Sequence, residues 1–142
     1  MIKAYGIALY KYEQNSIKLL LCKSVKSKDK YGFLKGVQLK NETNEQTAIR
    51  EFYEESGIKV ANYNLEEFFI QKNEDKDIGI YMVDYHKIDK IDGYFKNDYL
   101  KNEYLCKENS EVKFFDIKNL HYIKKKQIEI VQDIINYVNK KT

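Results

Sequence analysis

Between residues 44 and 56 the chain carries two faces that only one kind of neighbourhood can reconcile. Ala48 and Phe52, and Ile49 and Tyr53, recur at i, i+4, the spacing of a stripe along one helix. Glu51 and Glu55 fall at i, i+4 and Glu51 and Glu54 at i, i+3, so three carboxylates share a side. Like charges at that spacing repel and destabilise an isolated helix. Such a helix therefore needs a layer on which to bury its apolar stripe. Its acidic side needs water or a cation. The ends are well marked: Thr43 or Asn44 can cap the start, and Gly57 stands where a left-handed C-cap would fall.

The flanking sequence supplies the layer. Lys3–Tyr12 and Ile17–Lys23 read as strands joined by a turn at Glu13-Gln14-Asn15-Ser16. A polar, lysine-rich loop over Ser24–Lys30 follows, then a short apolar piece, Tyr31–Leu34, ending at Lys35-Gly36. Ile58–Tyr63, Glu66–Gln71 and Gly79–Lys87 are expected strands, with an acidic turn at Asn73–Asp77 between the last two. Asp89–Asn109 reads as loop with some helix, and Val112–Ile117 as a last strand. Ile123–Lys140 reads as an amphipathic helix, with Ile123, Ile130, Ile134 and Val138 near one stripe. The order strands, helix, strands, helix predicts an α/β (α+β) chain, a mixed β-sheet sandwiched between helices. Its 142 residues fit one domain over 1–142.

Composition removes several classes. With 43% hydrophobic and 33% charged residues, the chain resembles neither disordered nor collagen-like sequence. Its longest apolar runs, such as Ile17–Cys22 and Ile78–Val83, fall far short of the roughly 20 residues a membrane helix needs. The start lacks the apolar region and cleavage site of a signal peptide. Cys22 and Cys106 form no CxxC pair, so neither a disulfide framework nor a zinc site is implied, and two packed thiols in a reducing cytosol are expected. Lys plus Arg number 25 against 22 Asp plus Glu, which is not the footprint of a dedicated DNA-binding domain. An anionic small ligand or an RNA end remains compatible. One basic residue stands apart: Arg50 is the sole arginine, and every other cationic side chain of that length is lysine. A planar guanidinium kept at one place points to a bidentate contact there.

Around the acidic run the spacing is more specific. Gly36 is followed by five residues and Glu42, then seven residues and Arg50-Glu51, then Phe52, Glu54-Glu55, Gly57 and Ile58. This resembles the signature of the Nudix hydrolases at every fixed position, over a box spanning residues 36–58. The order of elements on either side is also similar to that family. The resemblance implies a pyrophosphohydrolase that depends on Mg²⁺ or Mn²⁺. Its metal ligands would be the Gly36 carbonyl and the side chains of Glu51, Glu54 and Glu55. Glu42 and Arg50 would lock the loop to the helix, through a fork that lysine cannot supply. Water would attack a phosphorus of a phosphoanhydride, with metal neutralising the phosphate oxygens. The base that takes the proton is left open. Glu51 is the choice within the box, Glu108 the first choice in the loop before the last strand, and Glu111 the second.

Gly32-Phe33-Leu34-Lys35-Gly36 is similar to the start of the box in dinucleoside polyphosphate hydrolases and RNA-decapping enzymes, although the usual proline is Leu34. Lys35 would then hold a substrate phosphate. The implied substrate is a nucleoside diphosphate linked to another moiety, a dinucleoside polyphosphate or an RNA 5′ end. The alternatives are a house-cleaning activity on a nucleoside triphosphate or nucleotide sugar, and a nucleotide sensor without catalysis. Sensors of this kind usually lose box glutamates, and here all are present. Tyr31, Phe33, Tyr81 and Tyr85 are possible base-stacking rings. Lys124-Lys125-Lys126 and Lys140-Lys141 could follow an RNA backbone. His86 and His121 have no partner spacing and are expected to be structural.

Overall fold

The computed structural model describes residues 1–27 and 29–141. The first strand, β1 (Ile2–Glu13), turns back through Gln14 and Asn15 into β2 (Ser16–Ser24). Both turn residues have positive φ, 49° and 66°, which matches the right-handed twist of a two-residue hairpin. β3 (Leu34–Val37) leads into helix α1 (Asn44–Ser56). β4 (Phe68–Lys72) and β5 (Lys76–Asp84) form a second hairpin, β6 (Phe95–Lys96) and β7 (Tyr99–Leu100) a very small third one. β8 (Asn109–Asp116) and helix α2 (Ile128–Lys141) complete the order.

The strands make one mixed sheet in the order β4-β5-β1-β2-β8-β7-β6. β1 and β5 run parallel, and the other pairs are antiparallel. β1 forks: residues 10–13 pair with β2, and residues 4–7 pair with β3 on that same edge. Strand alternation sends side chains to two separate cores. Tyr5, Ile7 and Leu9 join Leu20, Val112, Phe114 and the buried α1 residues Ala48 and Phe52. Ala8 and Tyr10 join Leu19, Leu21, Ile78, Ile80 and the α2 residues Ile130, Ile134 and Val138. Each fully buried Leu, Ile or Phe contributes on the order of 1.5–3 kcal/mol. The two helices thus sandwich the sheet from opposite faces.

α1 is fastened at both ends. Thr43 Oγ1 accepts from the Gln46 N–H at 3.1 Å, and Gln46 Oε1 accepts from the Thr43 N–H at 2.9 Å, a reciprocal capping box. Gly57, at φ 74°, donates its N–H to the Tyr53 carbonyl at 2.8 Å.

Several element boundaries differ from expectation. Ile58–Tyr63 pairs with no strand. Ile58 and Val60 are buried individually in the α1 core, and Asn64 Oδ1 accepts from the Ala61 N–H at 3.0 Å to turn the chain. The short apolar piece Tyr31–Leu34 runs into a strand over Leu34–Val37, so Lys35 and Gly36 belong to the sheet. α2 begins at Ile128 and not at Ile123, because the backbone there is already committed: the Lys124 N–H donates to the Tyr31 carbonyl at 2.9 Å. Part of the expected Ser24–Lys30 loop, residue 28, lies outside the described residues.

Candidate active site

Gly36 in β3 lies directly beneath the acidic side of α1. A Cβ built there would stand 2.0 Å from Glu51 Cδ, so only glycine lets this carboxylate approach the strand. Burial pushes the Glu51 carboxyl above its ordinary range. The neighbouring Arg50 pulls it down, while Glu54 and Glu108 push it up further. Gly36, Glu51, Glu54 and Glu55 are therefore gathered where the β3 branch of the fork meets α1.

Arg50 spreads its guanidinium across this surface. Nε donates to Glu42 Oε2 at 2.6 Å and Nη2 to Glu42 Oε1 at 3.0 Å, a two-point fork on one carboxylate. Nη1 donates to Glu51 Oε2 at 2.7 Å and reaches both Glu54 oxygens at 3.3 Å. Nη2 also donates to the Val37 carbonyl at 3.1 Å. Glu42 is held from its other side by the Leu39 N–H and the Thr47 hydroxyl, each at 2.9 Å. The Arg50 hydrogen bonds, reinforced by those two donors, hold the Glu42 carboxyl down at about 2. One side chain thus joins β3, the loop after it and α1.

Glu55 is the least comfortable residue of the group. Its Oε1 accepts from Asn109 Nδ2 at 3.0 Å, whereas Oε2 is buried and meets no hydrogen-bond partner among the described residues. Burial pushes its carboxyl up to about 7, with the Glu51 and Glu108 charges adding to the effect and Asn109 and Lys35 opposing it. An unpaired buried carboxylate oxygen is costly. A divalent cation would remove that cost, and hard cations prefer oxygen donors of this type. Glu54 is the most exposed of the three, with its carboxylate turned toward Arg50. Among the described residues no three acidic, histidine or cysteine side chains are already drawn together as a ligand set. Arg50 Nη1 stands between Glu51 and Glu54. The donor set is nevertheless entirely of hard oxygen, and the orphaned Glu55 oxygen fits a divalent ion.

The residues expected outside the acidic face divide. Lys35 is half-buried, and burial, with the charges of Lys76 and Lys124, lowers its ammonium to about 8. On β3 Lys35 alternates with Leu34 and Gly36, so its side chain leaves the strand on the face opposite α1, and its charge and that of Glu55 act on each other without a direct contact. Glu108 is exposed on the loop before β8, and its charge reaches both Glu51 and Glu55. Glu111 is not brought to the site. It alternates with Val112 and faces the α2 side, where it accepts from the Tyr31 hydroxyl at 2.7 Å and pairs with Lys113 at 3.3 Å.

The proposed stacking rings are engaged elsewhere. Phe33 is buried in the α2 core, and Tyr31 packs on Phe115. Tyr81 packs on Phe68, and Tyr85 is buried with its hydroxyl on Asp92. His86 contacts the Tyr12 carbonyl and His121 the Tyr122 ring, with neither at the acidic face. Lys126 is paired with Asp75 at 2.7 Å, and the side chain of Lys141 lies outside the described residues. Sequence reasoning missed Thr47, whose hydroxyl holds Glu42, and Asn109; nothing around Asn109 marks a polar residue at a strand start as a partner of Glu55.

A glycine on a strand, an arginine-locked loop and a helix carrying three glutamates on one side are the parts of one family's site. The NUDIX domain model matches residues 3–134, and the chain belongs to that family. It is a hydrolase acting on phosphoanhydride bonds. An Ap4A hydrolase of C. elegans, solved as a binary complex, shares 17% identity over 99% of both chains with a TM-score of 0.69. A MutT/nudix family protein from Enterococcus faecalis shares 15% identity over 97% of this chain and 62% of its own, at 0.66. The NUDIX domain of Shewanella oneidensis NrtR, crystallised with ADP ribose, shares 13% identity over 97% of this chain and 88% of its own, at 0.67. These likenesses are of fold. No curated protein matches the chain.

Proposed function

We propose that residues 1–142 form one Nudix domain that hydrolyses a phosphoanhydride in a nucleoside diphosphate linked to another moiety, using Mg²⁺ or Mn²⁺. The favoured substrate is a dinucleoside polyphosphate or an RNA 5′ end. The observation that carries the reading is the buried, unpartnered Glu55 Oε2 within a face that also holds Glu51 and Glu54. Likeness of fold to an Ap4A hydrolase, together with Lys35 before Gly36, supports the substrate class. The free thiols of Cys22 and Cys106 agree with a cytoplasmic setting. No helix among the described residues is long and apolar enough to cross a membrane.

In this mechanism the Gly36 carbonyl and the carboxylates of Glu51, Glu54 and Glu55 would hold the divalent ion. When bound, it would supply charge neutralisation on the phosphate oxygens and Lewis acidity. Arg50, through its fork on Glu42 and its bond to the Val37 carbonyl, keeps the loop and helix in fixed relation, while its contacts to Glu51 and Glu54 would be exchanged for the ion. Lys35, whose ammonium is lowered to about 8 by burial, would offer a point charge to a phosphate. Glu108, exposed beside the acidic face, accepts the proton of the attacking water. The test is a panel of dinucleoside polyphosphates, capped and triphosphorylated RNA, nucleoside triphosphates and nucleotide sugars. It is run with Mg²⁺, with Mn²⁺ and with EDTA, and products are resolved by chromatography. Cleavage of the first two classes only, dependent on metal, is expected. Preference for triphosphates or nucleotide sugars would replace the substrate assignment, and binding without cleavage of any of them would refute the enzyme reading.

A further inference from the structure

Asn109 begins β8 on the wrong side by simple alternation. Glu111, Lys113 and Phe115 face the α2 side, and Val112 and Phe114 the α1 side, so counting back by twos would aim residue 109 toward α2. The pairing slips first: Lys23 stands opposite Glu111, but Ser24 stands opposite Asn109, leaving Ser110 as an extra residue. The Ser110 hydroxyl donates to the Lys23 carbonyl at 3.1 Å. One extra residue reverses the parity of the strand and re-aims the side chain before it. Asn109, 5% exposed, consequently points into the α1 side. Its Nδ2 reaches Glu55 Oε1 at 3.0 Å and lies 3.6 Å from Cys106 Sγ.

The geometry points to Asn109 as a positioning residue for the metal-binding carboxylate Glu55, a role that rests on the function proposed above. A neutral amide can donate to a carboxylate without cancelling its charge. By occupying Oε1, Asn109 fixes the rotation of the carboxylate and presents Oε2 as the ligand atom. Because its neighbour is Glu108, the same contact docks the loop carrying the proton acceptor onto α1. Hydrogen-bonded partners of metal ligands typically set affinity by about 10–100-fold.

The experiment measures Mn²⁺ dissociation constants by electron paramagnetic resonance for the wild type, Asn109→Leu, Glu55→Gln and the double variant. Melting curves in EDTA establish that each is folded. Asn109→Leu removes the donor at similar volume and should weaken Mn²⁺ binding by about 10-fold or more. In the Glu55→Gln background the same substitution should change affinity little, because there is no carboxylate left to orient. If Asn109→Leu does not fold, Asn109→Ser, whose hydroxyl is too short to span the gap, takes its place with the same expectation. Wild-type Mn²⁺ affinity in the Asn109 variant, with binding lost in Glu55→Gln, would overturn the positioning role and leave the metal site standing. Wild-type affinity in Glu55→Gln would overturn the metal site itself, and the role of Asn109 with it.

Discussion

Arg50 concentrates more of the site in one side chain than any other residue does. Its fork on Glu42 and its reach to Glu51, Glu54 and the Val37 carbonyl use geometry that an ammonium lacks. Arg50→Lys keeps the charge and is expected to lower kcat while also costing about 1–3 kcal/mol, since hydrogen bonds to charged groups are lost. Steady-state kinetics and denaturant unfolding check both; wild-type values would mean that the fork is incidental. Glu108→Gln should lower kcat by roughly 10²–10⁴ with little change in metal affinity, the range for loss of a general base. Glu111→Gln should leave kcat near the wild type, because Glu111 faces the α2 side. A dead Glu51→Gln that still binds metal, beside a fully active Glu108→Gln, would move the base into the box. At this scale much was legible. Glycine, glutamate and arginine at set intervals along a single helix and the loop before it need no knowledge of the tertiary fold. Asn109 was illegible because its aim depends on a bulge in a strand pairing, and a bulge leaves no mark in hydrophobic period.

The elements were readable where a period ran long and blurred where the backbone was bound by something distant. The sequence narrows the cap of α1 to Thr43 or Asn44, and the structure gives it to Thr43, with Gln46 answering. The start of α2 is set by Tyr31, far away in sequence, and so shifted by several residues from its apolar pattern. The small hairpin of β6 and β7 lay in the segment with the weakest pattern. It is pinned instead by charge: Asp98 at its tip meets Lys11 at 2.8 Å and Lys18 at 2.6 Å. Lys11 is itself buried and lies over the rings of Tyr85 and Phe114, at 4.9 and 4.4 Å. Burial alone would raise the Asp98 carboxyl, but the hydrogen bonds from Lys11 and Lys18 outweigh it and hold it below its ordinary value. A carboxyl depressed in the folded state stabilises fully above its unfolded pKa of about 3.9 and loses that contribution as pH falls through the folded value. The melting temperature should therefore decline on acidification below about pH 4. Asp98→Asn should lower the melting temperature at neutral pH, since it leaves Lys11 buried without its full partner. It should also flatten the acid limb. An unaltered acid limb in that variant would show that the hairpin is held by packing alone.

Across the whole molecule, the acidic face is a debt of stability that a ligand can cancel. Anything that binds only the folded state stabilises it in proportion to the logarithm of its saturation. Mg²⁺ should raise the melting temperature relative to EDTA. Glu55→Gln, which removes a buried charge and two like-charge repulsions, should raise the EDTA value, weaken or abolish the Mg²⁺ shift and eliminate turnover. A full Mg²⁺ shift in that variant would place the ion elsewhere. The sheet that supports this face is assembled from remote pieces: β1 sets Tyr5 opposite Gly79, and β2 sets Leu20 opposite Phe114. Such long-range pairings form late in folding, after their loop entropy has been met. On a ribosome, α1 and its three glutamates emerge well before the strand that lies beside them. Until β8 leaves the exit tunnel, β2 has an open edge and Glu55 lacks its Asn109 donor. The nascent chain thus carries half a site, which is completed only when β8 closes onto β2 and brings its first residue, Asn109, to Glu55.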